Sequence, residues 1–193
     1  MIGIAGVARS GKDTLAKNLA QVIEEDLGVK VKILSFALPL RCQVNELLEQ
    51  FYHISAFTEN EEEKKIIRPL LVAHGEQMKK RFGDKIWLDS LLGEVEELSK
   101  EKVFPIISDV RFDFEAEGLK ESGGLIVHIS KVGNQPANEI EALNDPLVSK
   151  VADLKHTWPS YEPDQMDQCM DHAQILWQML KETKVEKWKK IYT

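Results

Sequence analysis

A strand, a glycine loop and a helix open this chain, and that order leaves few folds open. Ile2 to Ala5 are short and apolar and run into Gly6, the pattern of a buried strand. Leu15, Leu19, Val22, Ile23 and Leu27 then recur at helical spacing over residues 12 to 27, until Gly28 ends the run. Between strand and helix, Gly6 and Gly11 bracket four residues and Lys12 follows, close to the pattern G-x-x-x-x-G-K-[ST]. Such a loop belongs at the carboxyl end of a strand. There, helix N-terminal amides and the helix dipole face a bound phosphate.

The last position of the pattern departs from expectation. Asp13 stands where a hydroxyl is usual, and Thr14 comes one residue later. A carboxylate beside polyphosphate is repelled unless a cation lies between them. Asp13 therefore reads as part of a Mg²⁺ shell, with Thr14 offering a hydroxyl. Lys12 places a point charge near the β- and γ-phosphates, which suits phosphoryl transfer. A dinucleotide loop fits less well, because Gly3, Gly6 and Gly11 are not spaced G-x-G-x-x-G.

The rest of the chain alternates strands and helices. Val29 to Phe36 reads as a second strand, Val103 to Arg111 as a third ending in Asp109, and Leu125 to Ser130 as a fourth. Ala152 to Trp158 reads as a last strand, and Asp164 to Lys181 as a final amphipathic helix. Phe112 to Gly124 reads as a helix closed by glycines, and residues 131 to 150 as polar and irregular. The alternation predicts a parallel sheet covered on both faces. Residues 39 to 100 are helical in pattern and form a candidate second lobe. Pro39 opens one helix through Phe51, Thr58 and Glu61 have capping-box spacing, Gly75 and Gly83 are possible breaks, and Ile86 to Leu98 is amphipathic.

Asp109, at the end of a strand, suits a Mg²⁺ ligand beside the loop, or a plain helix cap for the segment after it. Arg111 suits stabilisation of transferring charge or a grip on an acceptor phosphate, or a surface ion pair with Asp113 or Glu115. Arg41, Arg68, Lys79, Lys80 and Arg81 form a basic set in the helical middle that suits a second anion, though any one of them fits a solvated helix face. Trp87 lies in the same lobe and is a candidate to stack on a base; the other tryptophans read as packing. Cys169, His172 and His156 make a poor zinc set, and Cys169 reads as a core residue.

The net charge of −7 argues against a surface for polymeric nucleic acid, so an anionic ligand must meet a local positive cluster. The two cysteines, Cys42 and Cys169, argue against a disulfide framework and for a reducing cytoplasm. No basic-then-apolar leader and no membrane-length apolar run are expected from this pattern. The length of 193 residues suits one domain with a small mobile insert.

Taken in order, GVARSGKDTLA, SFALPL with Arg41, RPLLVAHGEQMKKRFGDKIWLDSL and ISDVRFDFEAEGLKESGG resemble the phage-type deoxynucleoside monophosphate kinases, within the P-loop nucleotide kinases that include adenylate kinase. The resemblance runs over residues 1 to about 130. It implies a three-layer α/β P-loop NTPase fold, with a core at about 1–38 and 101–193 and a helical acceptor lobe at about 39–100. It implies ATP and Mg²⁺ as cofactors and a nucleoside monophosphate as the small-molecule partner, in a monomer or homodimer. Gly6, Ala8, Arg9, Ser10, Gly11, Lys12, Asp13 and Thr14 would hold ATP. Asp13, Thr14 and Asp109 would serve the metal, and Lys12, Asp109 and Arg111 the chemistry. Arg41, Arg68, Arg81, Trp87 and Arg111 would take the acceptor. The sequence departs from the family with Phe114-Glu115 after D-V-R-F and with few basic residues over 132 to 145, where a lid would supply them. Rival readings are a P-loop kinase for another phosphorylated metabolite and a nucleotide-binding regulatory ATPase.

Overall fold

An apolar segment with no polar alternation suits a strand covered on both faces, and β1 (Ile2–Ala5) is buried along its whole length. A computed structural model describes residues 1–159 and 167–192. In it β1 lies at the centre of a five-stranded sheet, with β3 (Phe104–Val110) on one side and β4 (Leu125–Lys131) on the other. The edges are β2 (Val31–Leu34) and β5 (Leu154–Trp158), which are only partly buried. The order is β2-β3-β1-β4-β5 and every pairing is parallel, so all five carboxyl ends face one edge.

Connection handedness sets the layers. β1 leads to β2 through α1 (Lys12–Leu27). In the opposite direction, β3 leads to β4 through α5 (Asp113–Glu121), and β4 to β5 through α6 (Glu139–Val151). Right-handed crossovers running opposite ways put α1 on one face and α5 with α6 on the other. The last helix, α7 (Gln168–Tyr192), packs along α1, and α5 packs against α6. The fold is the expected three-layer α/β sandwich.

The main core lies between the sheet and the α1/α7 layer. Ile2, Ile4, Phe104, Ile106, Leu125, Val127 and Ile129 meet Leu15, Leu19, Ile23, Leu176, Trp177 and Trp188 there. Phe104 is the hub, with ring centroids 5.3 Å from Trp188, 6.3 Å from Trp177 and 4.8 Å from Tyr192. Trp177 and Trp188 stack at 5.6 Å. This aromatic packing explains why α7 continues past the expected end at Lys181: Trp188 and Tyr192 are both buried. The expected start of that helix, Asp164, lies outside the described residues.

The chain divides into two compact units, Met1–Ser35 with Glu94–Thr193, and Phe36–Gly93. The smaller unit contains α2 (Ala37–Tyr52), α3 (Glu61–Phe82) and the start of α4 (Ile86–Lys100). Its core is Val44, Leu48, Ile54, Ala56 and Ile67. The cap of α3 is Asn60, whose side chain accepts from the N–H groups of Glu62 and Glu63; Thr58 instead bonds Glu63 through its side chain. Gly75 does not break α3. Its missing side chain leaves room for Leu40, whose Cδ1 would lie 2.9 Å from a Cβ there. Gly83, with φ of +97°, does end the helix.

Two further expectations need correction. The stretch 131–150 is irregular only over 132–138: Asn138 caps α6 by accepting from Glu141 N–H, and from Glu139 the helix runs through Pro146. The third strand does not end at Asp109 but one residue later, at Val110.

Candidate active site

In the larger unit, β1 delivers the chain to Gly6 at the carboxyl edge of the sheet. Gly6 has φ of +142°, and a Cβ there would meet the carbonyl oxygen of Ile129 at 2.3 Å. Gly11 has φ of +90°, and a Cβ there would meet Trp158 Cζ2 at 2.2 Å. Both glycines of the motif are therefore required by backbone geometry and by close approach. Between them Ser10 is wholly buried and its N–H donates to the Val7 carbonyl, while Arg9 is exposed with φ of 61°. Gly11 caps α1 without a side chain, so the first-turn N–H groups of α1 have no side-chain cap.

Lys12 folds back over its own loop. Its ammonium donates to the carbonyls of Gly6 and Val7 at 2.8 and 2.7 Å. Burial lowers its pKa and so does the charge of Arg111, against the opposing pull of Glu141, Asp13 and Asp109. Four charged groups thus act on the Lys12 ammonium, and the five together come from three separate segments. Asp13 and Lys12 come from α1, Asp109 and Arg111 from the end of β3, and Glu141 from α6.

A bulge sets the end of β3. Between the pairs Gly3–Ile107 and Ala5–Val110, β3 has Ser108 and Asp109 where β1 has only Ile4. An extra residue there interrupts the strand's alternation just before Arg111. The following turn is held by Glu115, which is buried and accepts from the N–H groups of Arg111 and Phe112 at 2.8 and 3.1 Å. Burial pushes its carboxyl up to about 7, and the Asp109 charge adds to this while the two N–H groups oppose it. The fate of Glu115 is therefore tied to the backbone of Arg111, and no side-chain ion pair between the two is needed.

The segment after β4 reaches the loop through Asn134 and Glu141, and β5 reaches it through Trp158. The indole N–H donates to the Ser10 carbonyl at 2.7 Å. A small depression of about 80 Å³ lies beside this contact, lined by Arg9, Gly11, Thr14, Lys131, Trp158, Pro159 and Cys169. Larger depressions of about 470 and 500 Å³ lie away from the loop, one along α1 and α7 and one near Gly28 and Lys102. Neither contains a residue of the glycine loop.

Of the residues singled out from sequence, Lys12, Asp13, Asp109 and Arg111 come together, with Thr14 on the same turn as Asp13. Asp13 is exposed, and Thr14 and Asp109 are half-buried. These carboxylate and hydroxyl oxygens suit a hard cation such as Mg²⁺ that takes its remaining ligands from phosphate and water. Arg41, Arg68, Arg81 and Trp87 all belong to the smaller unit. Arg68 and Arg81 sit on one unbroken helix, about 20 Å apart along its axis, so one phosphate does not bridge both. Arg81 lies over the Phe82 ring at 5.9 Å. Trp87 is buried beside His74, and its ring is not an open platform. Cys169 is a core residue, and His156 Nε2 lies 2.8 Å from His172 Nδ1. Sequence reading offers Glu115 only as a surface ion-pair partner of Arg111, whereas it is buried and holds the backbone of Arg111 and Phe112; Asn134, Glu141 and the Trp158 contact have no place in it. Only the spacing of Glu115 from Arg111 was local enough to suggest a role.

No protein-family model matches the chain, and no curated protein matches it either. Solved structures give remote likenesses over nearly the full length. Dephospho-CoA kinase from Campylobacter jejuni is 17% identical, with 91% of this chain and 96% of that one covered and a TM-score of 0.47. Shikimate kinase from Aquifex aeolicus vf5 is 15% identical, with 94% and 96% covered and a TM-score of 0.45. Shikimate kinase from Acinetobacter baumannii, in complex with shikimate, is 16% identical, with 95% and 93% covered and a TM-score of 0.47. Likeness at this level carries no argument about substrate. Among the described residues no helix is long and apolar enough to cross a membrane.

Proposed function

We propose that this protein is a phosphotransferase that moves the γ-phosphoryl group of ATP to a deoxynucleoside monophosphate, giving ADP and the diphosphate. The observation that carries the reading is the meeting of Lys12, Asp109 and Arg111 around a glycine loop at the carboxyl edge of a parallel sheet. Loop amides and the start of α1 bind the triphosphate. Lys12 leaves the Gly6 and Val7 carbonyls for the β- and γ-phosphates. Arg111, exposed at the end of β3, holds the acceptor phosphate and offsets charge on the transferring group. Asp13, Thr14 and Asp109 would hold Mg²⁺, which supplies charge neutralisation when bound. The protein's part is alignment and electrostatics, with no covalent enzyme intermediate.

Arg41, Arg68 and Arg81 of the smaller unit are proposed to serve the acceptor. The burial of Trp87 and the separation of Arg68 from Arg81 favour keeping a second reading, a kinase for another small phosphorylated metabolite. Quantifying ADP from Mg-ATP with each ribo- and deoxyribonucleoside monophosphate tests the first reading. ADP that rises only with particular monophosphates supports it. ADP formed without any acceptor points instead to a regulatory ATPase.

A further inference from the structure

Both polar groups of Ala8 in the glycine loop are held by the segment after β4. Its N–H donates to Glu141 Oε2 at 3.1 Å, and its carbonyl accepts from Asn134 Nδ2 at 2.8 Å. The same Glu141 oxygen accepts from Ala137 N–H at 3.0 Å, and Oε1 lies 3.7 Å from Arg111 Nη1. The Glu141 side chain is only 11% exposed, whereas that of Arg111 is 56% exposed. Its charge also acts on Lys12.

This carboxylate does what a phosphoryl oxygen would do at the loop. It accepts a loop N–H, faces the guanidinium and counters the ammonium of Lys12. It cannot keep that place beside a polyphosphate, because two anions a few ångströms apart in a half-buried site repel each other. The loop's own cation is occupied too, since Lys12 bonds Gly6 and Val7. The Asn134 contact to the Ala8 carbonyl carries no charge and is compatible with either occupant.

We propose that Glu141 is a specificity-determining residue of this site: an internal anion at the mouth of the loop that yields its place only to a ligand carrying several phosphate charges. The inference rests on the phosphate-binding reading of the loop, and not on which nucleotide or acceptor is used. Glu141 then sets a threshold. Weakly charged anions leave it in place, and a polyphosphate displaces it from Ala8 and Arg111 while Asn134 keeps the loop in shape.

Glu141→Gln separates charge from shape, because the amide oxygen still accepts from Ala8 and Ala137. The experiment is calorimetric titration of sodium tripolyphosphate, and separately of ATP, into wild type, Glu141→Gln and Glu141→Asp. Melting curves confirm that each variant is folded. Glu141→Gln is expected to bind tripolyphosphate about tenfold more tightly, with the gain shrinking as salt is raised. Glu141→Asp retains the charge and is expected to stay within about twofold of wild type. If folded Glu141→Gln binds tripolyphosphate no better than wild type, the proposal is overturned, and Glu141 is then only a clamp on Ala8. A gain for tripolyphosphate with no ATP binding by any of the proteins would uphold Glu141's role and remove the nucleotide reading. Equal ATP binding by wild type and Glu141→Gln would uphold the nucleotide reading and remove this one.

Discussion

The indole N–H of Trp158 donates to the backbone carbonyl of Ser10 at 2.7 Å, and the edge of its ring fills the space a side chain at Gly11 would need. One residue at the end of β5 thereby fixes the middle of the glycine loop. The contact is buried, so the Ser10 carbonyl has no ready substitute for the donor.

Trp158→Phe keeps an aromatic ring and removes the donor. It is expected to cost about 1–3 kcal/mol of stability and to raise the Kd for ATP. Thermal melts and ATP titration check this. Unchanged ATP affinity in a folded variant would mean the loop holds its shape without the bond.

Gly11→Ala puts a methyl group into the Trp158 ring at a backbone angle that L residues rarely adopt. ATP binding is expected to fall at least tenfold. The double variant Gly11→Ala with Trp158→Leu is expected to recover less than half of the loss, because the angle remains wrong when the ring is gone. The check is calorimetric titration of ATP into both proteins.

Glu115 makes stability depend on pH. Its ordinary pKa of 4.5 is raised to about 7 in the folded protein. The folded state therefore holds a proton that the unfolded chain has released, and stability declines as pH rises from about 4.5 to about 7. The full decline is on the order of 3 kcal/mol. In Glu115→Gln, which still accepts from the Arg111 and Phe112 N–H groups, that part of the slope should vanish. Denaturant midpoints at pH 5 and pH 8 decide it, and equal slopes in both proteins would contradict the assignment.

Gly93 lies on the exposed side of α4, with no atom within 4 Å of where a Cβ would sit. Gly93→Ala should stabilise the protein by about 0.5–1 kcal/mol through helix propensity alone. Chemical denaturation measures it, and a loss of stability would show that the space is not open.

The local parts of the fold were legible in the sequence. Ile2 to Ala5, the glycine loop and α1 lie consecutively, and each carries its own signal. α6 falls in a stretch expected to be polar and irregular, yet Ile140, Leu143 and Leu147 keep helical spacing and Asn138 supplies the cap. Thr58 and Glu61 have capping-box spacing, but Asn60 supplies the bonds to the first turn of α3. Lys12, Asp109 and Arg111 could be linked by motif. Glu141, Asn134 and Trp158 could not, because each meets the loop from more than 120 residues away. The bulge at Ser108 and Asp109 arises from pairing with β1 and has no local signature.

The most direct test of the central claim is the fate of a labelled γ-phosphate. Mg-ATP labelled at that position would be incubated with a deoxynucleoside monophosphate and either wild type or Lys12→Ala, and the products separated. The account predicts label on the diphosphate with wild type, and a loss of at least a hundredfold with Lys12→Ala. Label released only as inorganic phosphate, or transfer that survives in Lys12→Ala, would contradict it.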